Sequence, residues 1–325
     1  MDAGADAAAS FDTGVELRVE VPATGRVYVR LEPPSVVGAG DAWDLAFEGL
    51  DVYTNSGSSG SGKGGAFGPL DGITFLGDQA PQVPFITQDE PGGAFRNWYA
   101  YEGSTHALYS RFHTYGVKDG DRIWKVQLLS YYGERDGAAV SALLRVRYAE
   151  VGGAAQEITL DGTAGGPNSP ADSPSECIDF GTGARSMLTP AAALASSAWH
   201  ICARRDSIFV NGEKGGPRGI TAVDLQAAET ATETLSAVQT RTPESTAAAF
   251  DAVNRASFDG KTFRGDRIVS AFSDRWIEND APVNAAWLVV DAAGAQKVLV
   301  GFVRFEGATT ASPGTVVMRI KPVKG

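Results

Sequence analysis

The chain has 325 residues, of which 43% are hydrophobic, and its formal net charge is -11. This length and apolar content allow a large core, divided into about two domains at the usual domain size. The acidic balance argues against nucleic acid or an anionic membrane surface as partner, because both favour basic patches. No apolar run reaches the roughly 18 residues that a membrane-spanning helix needs.

The first ten residues form an acidic, alanine-rich segment that lacks the basic and apolar regions of a signal peptide. We predict a disordered tether over residues 1–10, as expected of an exported protein whose signal peptide has been removed. A disordered cytosolic terminus is the alternative.

The first half of the chain carries the alternating hydrophobic pattern of half-buried β-strands. In VELRVEV (15–21), four apolar side chains alternate with three charged ones, which gives one buried and one wet face. Further segments of this kind are separated by Gly, Pro, Asp and Asn: RVYVRLE, AWDLAFEGLDVYTN, IWKVQLLSYYG and LLRVRYAEV. The pattern predicts a mostly β fold.

Helical signals come later in the chain. Thr189 before Pro190 and Thr242 before Pro243 each place an N-cap residue and a proline at the first helical position. The segment DLQAAETATETLSAVQ suggests a further helix. The predicted fold class is therefore β-rich α+β, with a more helical second half.

The glycine-rich stretch TNSGSSGSGKGGAFG (54–68) contains two phosphate-loop patterns. Both patterns need a helix directly after the glycines, because the helix N-terminus holds the phosphate. The continuation AFGPLDG carries too many turn formers for a helix. We therefore predict a structural loop between strands.

An internal repeat organises the chain. WDLAFEGLDVYTN matches WHICARRDSIFVN at seven positions with identical spacing, including Trp43 with Trp199 and Asn55 with Asn211. Weaker counterparts follow: RNWYAY resembles DRWIEN, and IWKVQLLSYYGERDG resembles QKVLVGFVRFEG. The repeat predicts two tandem β domains, residues 11–153 and the more divergent 154–325.

Combined, the segments AWDLAFEGLDVYTNSGSSGSGKGGAFG, NWYAYEGSTHAL and KVQLLSYYGERDG resemble the HmuY-like proteins, exported bacterial lipoproteins whose characterised members bind haem. The resemblance covers residues 11–150 well and the rest only through the repeat. It implies a strand-connecting loop in which glycines allow close packing and Asn55 bonds to the backbone. The loop residues concerned are Asn55, Gly62, Gly64 and Gly65.

The resemblance also implies haem held by axial side chains from two segments, and both segments depart from the pattern. Residues 69–97 contain neither His nor Met, and the position after Trp98 falls near Glu102 or Gly103. His106 is the nearest imidazole, so a tyrosine would have to be the second ligand. The candidate ligand-binding residues, including aromatic walls and cations for the propionates, are Lys63, Trp98, Tyr101, His106, Tyr109 and Arg111.

The two cysteines, Cys177 and Cys202, lie in segments that the order of the first copy places on neighbouring strands. Together with His200 they would supply only three zinc ligands, and a structural zinc site wants four. A disulfide is therefore the preferred interpretation. We predict no metal site, and we read His113 as a hydrogen-bonded sheet residue.

Motifs of the common zinc hydrolases, thioredoxins and serine hydrolases are absent. The sequence thus predicts a non-enzymatic protein, and the resemblance implies a surface lipoprotein that binds haem or another tetrapyrrole, anchored by lipid at the bacterial outer membrane, with a membrane receptor as a further partner. The alternative is a non-haem surface protein of the same fold that binds a partner protein or another nutrient.

Overall fold

The computed structural model describes residues 11–165, 169–170, 172–273, 275–309 and 313–324. The predicted tether, residues 1–10, lies outside the described residues. The predicted fold class is confirmed, since the chain is mostly antiparallel β-sheet. None of the helices in the described ranges is long and apolar enough to cross a membrane.

The strands of the first half of the chain are β1 (Val15–Glu20), β2 (Val27–Leu31), β3 (Pro34–Val37), β4 (Leu45–Glu48), β5 (Asp51–Thr54), β6 (Gly65–Asp71), β7 (Glu90–Gly92), β8 (Tyr99–Glu102), β9 (Ala107–Ser110), β10 (Thr114–Asp119), β11 (Arg122–Arg135) and β12 (Ala138–Glu150). Those of the second half are β13 (Gln156–Asp161), β14 (Ser175–Ile178), β15 (Arg185–Leu188), β16 (Ile201–Arg204), β17 (Ser207–Val210), β18 (Thr221–Asp224), β19 (Arg267–Val269), β20 (Ile277–Glu278), β21 (Ala281–Pro282), β22 (Ala285–Val290), β23 (Lys297–Glu306) and β24 (Thr315–Pro322).

The α-helices within the described residues are α1 (Pro190–Ala195), α2 (Leu235–Gln239) and α3 (Pro243–Ala252). As predicted, Thr189 and Thr242 cap α1 and α3, each with a proline in the first helical positions. The segment predicted as a further helix forms only α2 at its end, preceded by a single 3₁₀ turn (Ala227–Glu229). Helical residues thus lie mainly in the second half of the chain, as predicted.

The chain divides into two compact units. The first combines residues up to Glu90 with residues from Ile268 onward, and the second is Pro91–Arg267. In the first unit, sheet β3-β2-β4-β5 and sheet β1-β24-β23-β22-β6 share a core that includes Phe47, Trp276 and Phe302. In the second unit, sheets β15-β14-β16-β17 and β13-β12-β11-β10-β18 share a core that includes Trp98 and Trp124.

These units differ from the predicted domains 11–153 and 154–325. The predicted boundary falls in the turn of a hairpin, since β12 pairs with β13 from Leu143 opposite Asp161 to Tyr148 opposite Gln156. Ladder hydrogen bonds on both sides of that turn keep the two strands in one sheet. The boundary is therefore corrected to residues 90 and 91 and again to residues 267 and 268.

The predicted repeat is nevertheless visible in the strand order. The two five-stranded sheets have corresponding strand orders. The order β1-β24-β23-β22-β6 in the first unit matches, strand by strand, the order β13-β12-β11-β10-β18 in the second. Each unit is thus built from the first part of one repeat and the last part of the other. Two tryptophans illustrate this exchange. Trp98 of the first repeat donates its indole N–H to the Asp206 carbonyl of the second repeat, and Trp276 of the second repeat donates its indole N–H to the Leu50 carbonyl of the first.

The glycine-rich stretch forms the predicted loop between β5 and β6, with no helix after it. Asn55 donates from Nδ2 to the Trp43 carbonyl (2.8 Å) and accepts from the Gly62 amide (2.9 Å). A Cβ atom at Gly62 would lie 2.5 Å from the Asn55 carbonyl oxygen, one at Gly64 3.0 Å from the same oxygen, and one at Gly65 2.6 Å from the Thr87 carbonyl oxygen. The glycines are therefore needed for close backbone packing.

The second repeat reproduces this loop. Asn211 donates from Nδ2 to the Trp199 carbonyl (3.0 Å) and accepts from the Arg218 amide (3.0 Å). The equivalence of Asn55 with Asn211 and of Trp43 with Trp199 is confirmed. The loop stabilises the fold by satisfying buried backbone groups.

Candidate functional site

The predicted ligand-binding residues do not all lie in one unit. Lys63 is an exposed residue of the glycine loop in the first unit, and the other five belong to the second. Trp98 is 1% exposed and packs in the core with Tyr131. Its indole N–H already donates to the Asp206 carbonyl, so Trp98 stabilises the fold and is not available to line a ligand site.

The hairpin β8–β9 brings Tyr101 and His106 together. Tyr101 is 52% exposed, and its hydroxyl is hydrogen-bonded to Nδ1 of His106 in the exposed turn of the hairpin. His106 has a φ of 59°, a left-handed conformation that is uncommon outside glycine. An exposed phenol with an imidazole on its oxygen is a potential metal ligand, because the imidazole can accept the phenolic proton.

Tyr109 lies on the same hairpin but on its other face. It is paired with Ala100, whereas Tyr101 is paired with Leu108, and neighbouring pairs of a hairpin point to opposite sides. The Tyr109 hydroxyl donates to a Glu102 carboxylate oxygen at 3.2 Å. Of the two predicted tyrosines, only Tyr101 therefore meets the imidazole of His106.

Arg111, predicted to face a propionate, is instead part of a buried ion-pair cluster. Its guanidinium lies 2.6 Å from Glu233 Oε2, and Nε donates to the Tyr99 carbonyl. Arg241 also pairs with Glu233 and donates to the Arg111 carbonyl. These hydrogen bonds and charges outweigh burial and lower the pKa of the Glu233 carboxyl.

His113 lies at the centre of this cluster. Nδ1 is 2.8 Å from Asp224 Oδ2, and Nε2 is 3.2 Å from Glu233 Oε1. Burial alone would lower the pKa of His113, but the two carboxylates outweigh it and raise that pKa. The predicted hydrogen bonding of His113 is confirmed, but the residue lies directly before β10 and not within the sheet. Together with Glu229 and Glu233 it forms a group of possible metal ligands that sequence reasoning missed.

The signal that could have found this group was weak. Glu229 and Glu233 are four residues apart, a spacing that places two side chains on one face only in a helix. The structure forms a 3₁₀ turn (Ala227–Glu229) there, followed by a hydrogen-bonded turn over residues 230–232. Asp224 approaches His113 only because β18 pairs with β10.

The second buried histidine, His200, replaces Asp44 of the first repeat. The Leu31 amide donates to Asp44 (2.7 Å), and the Phe180 amide donates to Nδ1 of His200 (3.1 Å). Burial lowers the pKa of His200 to about 4, so the imidazole is neutral at pH 7. His200 thus satisfies backbone groups between strands.

The cysteines form the predicted disulfide between β14 and β16, where Cys177 is directly opposite Cys202. The bond therefore removes both thiols from any metal site.

We expect no reactive thiol in the protein unfolded without reductant. The bond closes a loop with a sequence separation of 25, so reduction should lower the free energy of unfolding by about 3 kcal/mol. Thiol titration in denaturant and urea unfolding with and without reductant measure both effects. Two reactive thiols before reduction would contradict the prediction.

Comparison with known proteins adds no assignment. No family model matches the chain, and no curated protein matches its sequence.

Proposed function

We propose that this chain is an exported surface lipoprotein that binds ferric haem or a related ferric tetrapyrrole through Tyr101. The bond between the Tyr101 hydroxyl and His106 Nδ1 is the observation that supports this proposal. A phenolate is an established axial ligand of ferric haem. His106 receives the proton that Tyr101 loses when its oxygen binds iron, so the imidazole stabilises the phenolate.

The surroundings of Tyr101 suit a planar apolar ligand in part. Leu108 is the cross-strand neighbour of Tyr101, and Tyr99 lies two residues earlier on the same face. Both side chains are partly buried and pack against the core of the second unit. Only the parts of Leu108 and Tyr99 that the core leaves exposed are open to a tetrapyrrole whose iron meets the phenol oxygen.

The non-haem alternative has its own support. Arg111 is engaged by Glu233, Trp98 is buried, and Lys63 belongs to the first unit. Arg111 is therefore not free to pair with a haem propionate, which favours a non-haem ligand. In this second candidate function, the exposed hairpin binds a partner protein or another nutrient.

The proposed location accompanies both functions. Disulfides persist in oxidising compartments, so the Cys177–Cys202 bond supports export. A lipid anchor and an outer-membrane receptor are parts of the same proposal.

Titration with haemin, read as the Soret band after desalting, tests the haem proposal. We expect the wild type to retain haemin with a shifted band, Tyr101→Phe to lose the shift, and His106→Ala to bind at least tenfold more weakly. Tyr109→Phe is the matched control, because it removes a hydroxyl from the other face of the same hairpin.

A wild-type spectrum identical to free haemin would favour the non-haem function. A normal spectrum in Tyr101→Phe would exclude Tyr101 as the iron ligand. Loss of binding in the Tyr109→Phe control would place the ligand on the opposite face of the hairpin.

A further inference from the structure

A second potential ligand-binding site lies at His113; it shares no residue with the Tyr101–His106 pair and is independent of the proposed function. One imidazole nitrogen and two carboxylate oxygens, from His113, Glu229 and Glu233, all lie within 4.8 Å of one another. His113 is buried, Glu233 is partly buried and Glu229 is exposed. The group is therefore anchored in the fold and open to solvent on the side of Glu229.

The hydrogen bonds of His113 prepare its outer nitrogen for a cation. Asp224 Oδ2 lies 2.8 Å from Nδ1 and accepts a hydrogen bond from Nδ1–H, which fixes the ring orientation and leaves Nε2 facing Glu233 Oε1 at 3.2 Å. Two acceptors at this distance repel each other unless a proton or a metal ion lies between them. A carboxylate behind the imidazole is the usual support of a metal-binding histidine.

Tyr115 supplies an independent observation. Its side chain is 1% exposed, and its hydroxyl has no hydrogen-bond partner among the described residues. Tyr115 is directly opposite Asp224 in the sheet, and its ring centroid is 6.4 Å from that of His113. The charges of Asp224, Arg111 and Glu233 act on this hydroxyl. A buried hydroxyl without a partner costs free energy, which a ligand in the cluster would recover.

We propose that His113, Glu229 and Glu233 bind a divalent cation of the zinc class, with solvent in the remaining position and Tyr115 beside it. One imidazole and two carboxylates with an open position are a donor set that zinc accepts. Asp224 acts as a positioning residue, because it reaches the metal only through His113.

The charge balance sets the expected strength of binding. Three carboxylates, from Asp224, Glu229 and Glu233, face two guanidiniums, from Arg111 and Arg241, so the cluster with a neutral imidazole and no cation carries one net negative charge. Both arginines hold the Glu233 carboxylate in place, and both repel an incoming cation. We therefore expect zinc to bind more weakly here than at a site without the two arginines.

The test is calorimetric titration of the EDTA-treated, full-length protein with zinc chloride alone. We expect one zinc ion per chain in the wild type and an affinity at least tenfold lower in Glu229→Gln. Glu229 is exposed, so this variant should keep the fold, and an unchanged thermal midpoint without zinc verifies that it does. His106→Ala and Glu157→Gln are controls that remove an imidazole and an exposed carboxylate elsewhere in the same unit.

The controls should bind as the wild type does, and zinc should raise the thermal midpoint of the wild type more than that of Glu229→Gln. Absence of binding, equal affinity in Glu229→Gln, or loss of binding in His106→Ala would each overturn the proposal. The haemin titration depends on Tyr101 and His106, so failure of the tetrapyrrole proposal and failure of the zinc proposal can be told apart.

Discussion

Cleavage of the chain in the turn between β12 and β13 should leave both fragments in one folded particle. Each unit contains strands from both sides of that turn, since the first unit joins β1–β6 to β22–β24 and the second joins β10–β12 to β13–β18. Separation would expose both cores, including Phe47 and Phe302 of the first unit and Trp124 and Ile201 of the second. The burial lost would far exceed the usual stability of a domain.

A protease site inserted between Gly152 and Gly153 allows the measurement. Gly152 has a φ of 89° and open space beside it, so the insertion is expected to be tolerated. We expect unchanged elution on size exclusion after cleavage and two fragments only in denaturant. The disulfide cannot hold the fragments together, because Cys177 and Cys202 lie in the same fragment. Elution as two separate folded fragments would contradict this prediction and support the tandem domains 11–153 and 154–325.

Asp89 and Asp266, which accept hydrogen bonds from the amides directly before Asn55 and Asn211, should respond differently to replacement by asparagine. Asp89 accepts from the Thr54 amide (2.9 Å), the Thr54 hydroxyl (3.0 Å) and the Ala271 amide (2.8 Å). Asp266 accepts from the Val210 amide (2.9 Å), and its Oδ1 has no partner in the described part of the chain. We expect Asp89→Asn to cost about 2–3 kcal/mol, because one buried amide loses its acceptor.

Asp266→Asn should cost little at pH 5 and stabilise the protein at pH 9. Burial raises the pKa of Asp266 to about 8, while the unfolded value is near 3.8, so the folded state holds a proton that the unfolded state releases. Wild-type stability should therefore fall as the pH rises from about 4 to about 8, by at most about 1.4 kcal/mol per pH unit from this group. Asp266→Asn has no ionisable group at this position, so its stability does not fall with pH for this reason.

Urea unfolding of the wild type and of both variants at pH 5, 7 and 9 measures the difference. We expect the free energy of unfolding of Asp266→Asn, relative to the wild type, to increase steadily over this series. The same pH dependence in both proteins would show that Asp266 is ionised in the folded state. Asp89→Asn serves as the matched control for burial of an amide.

Local features of this protein were predictable from the sequence. The threonine–proline pairs at residues 189–190 and 242–243 begin helices because a cap depends only on neighbouring residues. The loop at Asn55 was predictable from its glycines, and the disulfide from the order of the repeat. Burial along β1 was predicted only in part, since Val19 is buried but Val15 is 51% exposed at the sheet edge.

By itself, the sequence determined the β-rich class, the repeat, its loops and the helix starts, since these depend on local periodicity and backbone chemistry. Only the tertiary structure decided which halves of the repeats share a core, because two similar repeats offer each strand two equivalent partners. It also decided the neighbours of His113, which meets Asp224 and Glu233 across 111 and 120 residues of chain. Such contacts depend on sheet pairing and loop closure between distant segments, which no local pattern encodes.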